Sequence, residues 1–117
     1  MTTKPTNKGE AAEQLACAYL QQQGLRLLEK NYRCRQGEID LVMQQGDSLV
    51  FIEVRQRSDA RFGGAAASVT TKKQEKLRLT ALHYLQHRAP GANARFDVVA
   101  VQGEQTQQHI EWIRNAF

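Results

Sequence analysis

Gly37-Glu38-Ile39-Asp40-Leu41-Val42-Met43-Gln44-Gln45 and Ser48-Leu49-Val50-Phe51-Ile52-Glu53-Val54-Arg55, separated only by Gly46-Asp47, decide how this chain folds. Each run has the apolar/polar alternation of a strand, and Gly-Asp is a tight hairpin signal. With Gly46 and Asp47 as the central turn residues, Gln45 faces Ser48, and the pairs Met43–Val50, Leu41–Ile52 and Ile39–Val54 follow. These form a wholly apolar face, expected to point to the core. The opposite face pairs Gln44 with Leu49, Val42 with Phe51, Asp40 with Glu53, and Glu38 with Arg55.

That register sets two carboxylates directly across from each other, their Cβ atoms roughly 5 Å apart. Like charges so placed are destabilising unless something compensates. A hard divalent cation does so, because Mg²⁺ takes one or two carboxylates and completes its shell with water and phosphate oxygens. Arg55 adds fixed positive charge on the same face. The hairpin therefore predicts a metal-and-phosphate site.

The rest of the chain is read around this hairpin. At 117 residues it is long enough for one domain that buries about two thirds of its unfolded surface. With 41% hydrophobic and 24% charged residues the composition is that of a soluble globular protein. The net charge of +4 leans mildly towards an anionic partner. Cys17 and Cys34 form no CxxC pair, so neither a thiolate zinc site nor a disulfide framework is indicated. No run approaches the roughly 20 apolar residues of a membrane span, and the polar start has no apolar signal region, so a cytoplasmic protein that avoids membranes is expected.

Residues 1–7 read as a flexible tail and 8–117 as a single domain. Asn7 and Glu10 have capping-box spacing for a helix beginning near Lys8. Ala12, Leu15, Ala16, Tyr19 and Leu20 give it an apolar stripe, and Gly24 stops it. Glu13 lies at the edge of that stripe, either as an ordinary surface glutamate or as a third acid for the site. Leu25 to Arg33 reads as a strand with Leu25, Leu27 and Tyr32 inward, and residues 34–36 turn into the hairpin. Arg57 follows the acidic strand, and Phe62-Gly63-Gly64 marks a loop, either a plain connection or a rim over the site.

A second helix is expected from Thr70 or Thr71 to about Arg88, with a Thr71/Gln74 capping box. Leu77, Ala81, Tyr84 and Leu85 form its buried stripe, with Leu82 at the flank. Lys72, Lys73, Lys76 and Arg78 crowd its first turns. Cations there oppose the helix dipole, so an anion such as phosphate is favoured; a solvated basic face is the plainer alternative. Arg95 to Val101 and His109 to Ile113 read as the last strands, joined at Gln102-Gly103-Glu104, with Trp112 a packing residue. His83 and His87 have metal-ligand spacing but lack a third ligand. HExxH, GxSxG, P-loop and GxGxxG motifs are absent.

The resulting order, α-β-β-β-α-β-β, with an acid on the second strand and Glu-x-basic on the third, resembles the restriction-endonuclease-like (PD-(D/E)xK) nuclease superfamily. More closely, the chain resembles the YraN-like family of small bacterial proteins. The resemblance rests on Lys8-Gly9-Glu10-Ala11-Ala12-Glu13, Ala16, Tyr19-Leu20 and Asn31-Tyr32-Arg33. It continues through Gly37-Glu38-Ile39-Asp40-Leu41, Val50-Phe51-Ile52-Glu53-Val54-Arg55 and Arg95-Phe96-Asp97-Val98-Val99. It implies an α/β fold with a mixed central sheet flanked by helices.

It also implies that Asp40 and Glu53 bind Mg²⁺ or Mn²⁺, and that Glu13 matches the helix glutamate of Holliday-junction-resolvase-like members. Arg55 stands where the superfamily usually has lysine. Arginine keeps a permanent charge and grips phosphate through two donors, so binding is expected to survive the change better than cleavage. Ile39 replaces the proline that often precedes the first acid.

The expected activity is metal-dependent hydrolysis of phosphodiester bonds in branched or structured DNA, DNA being favoured over RNA. Asp40, Glu53, Arg55 and Glu13 form the catalytic group, and Arg57, Lys72, Lys73 and Lys76 hold the nucleic-acid backbone. The alternative is a non-catalytic nucleic-acid-binding or assembly module that keeps the fold. A third reading is a structural protein whose acids pair with Arg55 and Lys73. A homodimer is expected by analogy with resolvases, whose substrates have two-fold symmetry.

Overall fold

The structure, a computed structural model, describes residues 8–57, 68–102 and 109–117; of Lys8 and Arg57 it describes the backbone alone. The expected tail over 1–7 with its Asn7 cap, the loop around Phe62-Gly63-Gly64 and the turn at Gly103-Glu104 lie outside the described residues. The elements run α1 (Lys8–Gln22), β1 (Arg26–Cys34), β2 (Gly37–Gln45), β3 (Ser48–Arg57), α2 (Thr71–Arg88), β4 (Asn93–Gln102) and β5 (His109–Ile113). This is the expected α-β-β-β-α-β-β order.

The five strands form one sheet in the order β1-β2-β3-β4-β5. β1, β2 and β3 pair antiparallel, β3 and β4 pair parallel, and β4 and β5 pair antiparallel. A parallel neighbour demands a crossover, and α2 supplies it between β3 and β4. Among the described residues no helix is long and apolar enough to cross a membrane.

The two helices cover opposite faces of the sheet. Leu77, Ala81 and Tyr84 of α2 pack on Val42, Leu49, Phe51, Val98 and Ala100. Ala16, Cys17 and Leu20 of α1 pack on Leu41, Met43, Val50, Ile52 and Val99. The hairpin thus has two buried faces rather than the single apolar face its alternation suggests. Val42 and Phe51 are fully buried because a helix lies over each side. Ile39 belongs to the α2-side cluster with Tyr32, not to the cluster of Leu41 and Met43.

Local signals explain the helix ends. Gly24, at φ 99, takes the left-handed position after α1. Its N–H donates to Gln21, and that of Leu25 donates to Leu20. Leu20 and Leu25 are both buried, so the stop is also a hydrophobic contact. The cap of α2 is Thr70 rather than the first threonine of a Thr71/Gln74 box. Its hydroxyl accepts from the Lys73 N–H at 3.1 Å, while the Gln74 side chain donates to the Val69 carbonyl at 3.0 Å. Thr80, absent from the apolar stripe expected from the sequence, is fully buried and donates to the Lys76 carbonyl. Leu85 is only half-buried and Leu82 is exposed.

Candidate functional site

The β2–β3 ladder follows the expected register for five pairs, Gln45–Ser48 through Leu41–Ile52, and stops there. Asp40 and Glu53 are not ladder partners. The Asp40 side chain takes over a backbone role instead, accepting the Val54 N–H at Oδ2 over 2.8 Å. This removes the need for a regular pair at the point where two like charges would face each other, yet keeps the two carboxyls in contact. Burial, then the charge of Glu53 and the hydrogen bond the two carboxyls share, push Asp40 up to about 8; the Val54 N–H pulls against this and Glu13 adds to it. Glu53 is buried at 4% exposure, so its charge needs a partner close by.

Two further acids reach the same place. Glu13 comes from α1, on the far face of the sheet, and hydrogen-bonds Asp40. Burial raises its carboxyl first; Glu38 and Glu53 raise it further, while bonds to Asp40 and Asn31 oppose them. Glu13 is therefore half-buried against Asp40 rather than standing alone on the surface. Glu38 is linked to it through Asn31. With its amide nitrogen turned to the acids, Asn31 donates to Glu13 Oε1 at 3.0 Å and Glu38 Oε1 at 2.9 Å. Asn31 sits at φ 53, a conformation asparagine adopts more readily than most residues, and in the sequence it stands out only within the Asn31-Tyr32-Arg33 stretch of the resemblance. Arg33 holds the other oxygen of Glu38 at 3.0 Å.

The opposite wall is the start of α2. A cleft of about 490 Å³ runs between Glu38, Asp40 and Glu53 on one side and Lys72, Lys73 and Lys76 on the other, with Gly37, Thr70 and Leu77 completing it. Gly37 lets the helix come this close: a Cβ there would stand 3.2 Å from Thr80 Oγ1 and 3.8 Å from Lys76 Cβ. Lys73 crosses the cleft, its Nζ 2.6 Å from Glu53 Oε2. The lysines expected to bind phosphate are therefore beside the acids, and one of them is paired with an acid. Arg57 ends β3, with its side chain outside the described residues.

Arg55 is oriented differently from the expectation. Its Nε donates to Ser68 Oγ and its Nη2 to the Ser68 carbonyl, each at 3.1 Å, while Nη1 stands 3.4 Å from Glu53 Oε2. The fork is committed mainly to the segment just before α2. The expected Glu38–Arg55 pair does not form, because the ladder ends before it.

Among the described residues, no group of three or more His, Cys, Asp or Glu side chains is arranged to hold a metal ion. What the cleft offers is one close pair of hard oxygen donors, Asp40 and Glu53. His83 and His87 are not a metal pair here: the rings stack at 4.1 Å, His83 Nδ1 bonds the Tyr32 hydroxyl and His87 Nδ1 bonds the His83 carbonyl. Trp112 does more than pack. Its indole N–H donates to Asp97, a fully buried acid that also takes Arg95 and the Asn115 N–H. That network, which the sequence did not reveal, ties β5 and the C-terminal residues to β4, away from the cleft.

Comparison with known proteins agrees with this extent of fold. The model of the uncharacterised protein family UPF0102 matches residues 12–101. A UPF0102 protein of Nitrosomonas europaea is 60% identical over 111 residues, covering 95% of this chain and 93% of the relative. One from Nitrosococcus oceani is 54% identical over 113 residues, covering 95% and 91%. One from Pseudomonas putida is 50% identical over 116 residues, covering 97% and 94%.

Proposed function

This chain belongs to the uncharacterised protein family UPF0102, and we propose that it is a metal-dependent nuclease hydrolysing phosphodiester bonds in branched or structured DNA. One observation carries the reading. A pair of touching carboxyls, one of them pushed up to about 8, faces a wall of lysines across a cleft of about 490 Å³. Carboxylates forced together are costly unless a cation joins them, and lysines facing them are the complement of an anionic backbone.

The donor set fits a small hard cation. Asp40 and Glu53 would hold Mg²⁺ or Mn²⁺, with water and phosphate oxygens filling the remaining positions. Bound there, the ion supplies charge neutralisation and a water of lowered pKa. In the reaction, the water oxygen bonds to phosphorus as one phosphorus–sugar oxygen bond breaks. The water gives up a proton and the departing sugar oxygen takes one. Glu13, through its hydrogen bond to Asp40, would orient that carboxyl, and solvent water takes the proton. Lys72 and Lys76, with Arg57 after the acidic strand, hold the flanking phosphates.

The direct test is incubation of the purified protein with labelled four-way-junction, flap and linear DNA, with and without Mn²⁺. Metal-dependent cleavage lost in Asp40→Ala supports the reading; no cleavage by wild type, or equal cleavage by Asp40→Ala, removes it. A non-catalytic binding module is the competing reading, favoured by one contact: Lys73 already neutralises Glu53 without any metal. That module would bind the same DNA with unchanged affinity in EDTA and cleave none of it.

A further inference from the structure

We infer that the two cations beside the acids divide the work: Lys73 is the one that meets the substrate phosphate, and Arg55 is a positioning residue that sets Lys73 in place. The inference rests on the nuclease reading above and assigns roles within that site.

The contacts separate the two side chains. Lys73 Nζ lies 2.6 Å from Glu53 Oε2, whereas Arg55 Nη1 stands 3.4 Å from the same oxygen. Charge-assisted N–H···O bonds are typically 2.7–2.9 Å, so only the lysine makes a full-strength contact. Arg55 spends its well-formed bonds on Ser68, through Nε and Nη2. Ser68 is followed by buried Val69 and by Thr70, the cap whose hydroxyl holds the N–H of Lys73 itself. A chain of contacts therefore runs from the acidic strand through Arg55 and Ser68 to the first turn of α2, where Lys73 projects into the cleft. Lys73 lines that cleft with the acids; Arg55 lies in a separate hollow with Val54, Gln56 and Ser68. Lys73 is also half-exposed, free to turn from Glu53 to an incoming phosphate when a metal takes over the carboxylate.

Two consequences distinguish this from a direct role for Arg55. First, Lys73 competes with a metal for Glu53, so removing its charge strengthens metal binding while weakening catalysis. Second, a lysine cannot reproduce the two-pronged grip on Ser68, so Arg55→Lys behaves as a loss, not as repair of a missing lysine.

The experiment pairs Mn²⁺ titration by calorimetry with steady-state cleavage of a labelled junction for wild type, Lys73→Met, Lys73→Arg, Arg55→Gln and Arg55→Lys, each checked for folding by circular dichroism. Expected are roughly fivefold or tighter Mn²⁺ binding in Lys73→Met with Lys73→Arg near wild type, and kcat lowered roughly 10²-fold in Lys73→Met with little change in KM. Both Arg55 variants should lower Tm, reduce kcat by less than tenfold and, by loosening Lys73 from Glu53, tighten Mn²⁺ binding by less than Lys73→Met does. A kcat for Lys73→Met within threefold of wild type overturns the assignment, as does a gain in kcat for Arg55→Lys. If wild type does not cleave, the nuclease reading falls, and the Mn²⁺ titration still decides: a larger tightening in Lys73→Met than in Arg55→Lys, with some tightening in both, supports the division of roles, and any other pattern overturns it.

Discussion

Replacing Asp40 by Asn should make this protein more stable at alkaline pH, and by an amount its surroundings set. The amide keeps the size of the carboxyl and an oxygen to accept the Val54 N–H, now held at 2.8 Å. What it removes is one of two touching like charges. Two unit charges about 4 Å apart repel by roughly 4 kcal/mol at an effective dielectric of about 20. Asp40 is half-buried, and the Lys73 ammonium beside Glu53 offsets part of this, leaving about 1–3 kcal/mol.

The pH dependence follows from the folded value near 8 against an unfolded value near 3.9. Between them the folded chain holds a proton that the unfolded chain has released. Stability from this group is thus complete below about pH 4 and declines as pH rises towards 8. Asn cannot ionise, so the variant should match wild type near pH 4.5 and exceed it at pH 9, by roughly 4–12 °C in Tm. Thermal and urea unfolding in EDTA, followed by circular dichroism at both pH values, measures it. An Asn variant no more stable than wild type at pH 9, or one whose advantage is the same at both pH values, would refute the reasoning that charge repulsion is stored in the pair.

Other sites give sharper packing tests. Gly37→Ala puts a methyl 3.2 Å from Thr80 Oγ1 on a backbone at φ 157, and should cost about 1–3 kcal/mol in urea unfolding and, in the nucleic-acid reading, weaken DNA binding, since α2 must back away from the cleft. Asp97→Asn leaves half-buried Arg95 without its counter-charge, and should destabilise by about 3 kcal/mol with Mn²⁺ affinity unchanged; a loss below 1 kcal/mol would mean the network is not structural. In the nucleic-acid reading, Lys72→Ala and Lys76→Ala should each lower the slope of log affinity against log salt by about 1 in fluorescence anisotropy, at equal cost for unrelated sequences.

Much of this molecule could be read locally. The Gly46-Asp47 turn fixes the hairpin register by counting, and five ladder pairs follow it. Gly24 stops α1 and Thr70 starts α2 because caps satisfy backbone groups within a few residues. The site was less legible in proportion to the distance of its contacts along the chain. Counting sets Asp40 directly opposite Glu53; the two carboxyls do meet, but not as a ladder pair, because the ladder ends at Leu41–Ile52. Nothing in a period of two says that a side chain will replace a ladder bond. The same extrapolation sets Arg55 opposite Glu38, whereas it grips Ser68, 13 residues further on.

By itself, then, the sequence determined the seven elements, their order and the hairpin that carries the two acids, because turn chemistry, capping and hydrophobic period act over a few residues. Only the tertiary structure decided that both faces of the hairpin are buried, since that depends on α1 and α2 covering opposite sides of the sheet. It also decided that Glu13 joins Asp40, that Asn31 bridges Glu13 to Glu38, and that Lys73 rather than Arg55 lies closest to Glu53. The physical reason is the parallel β3–β4 pair: it requires a crossover helix, and how closely that helix approaches Gly37 sets which lysine reaches the acids.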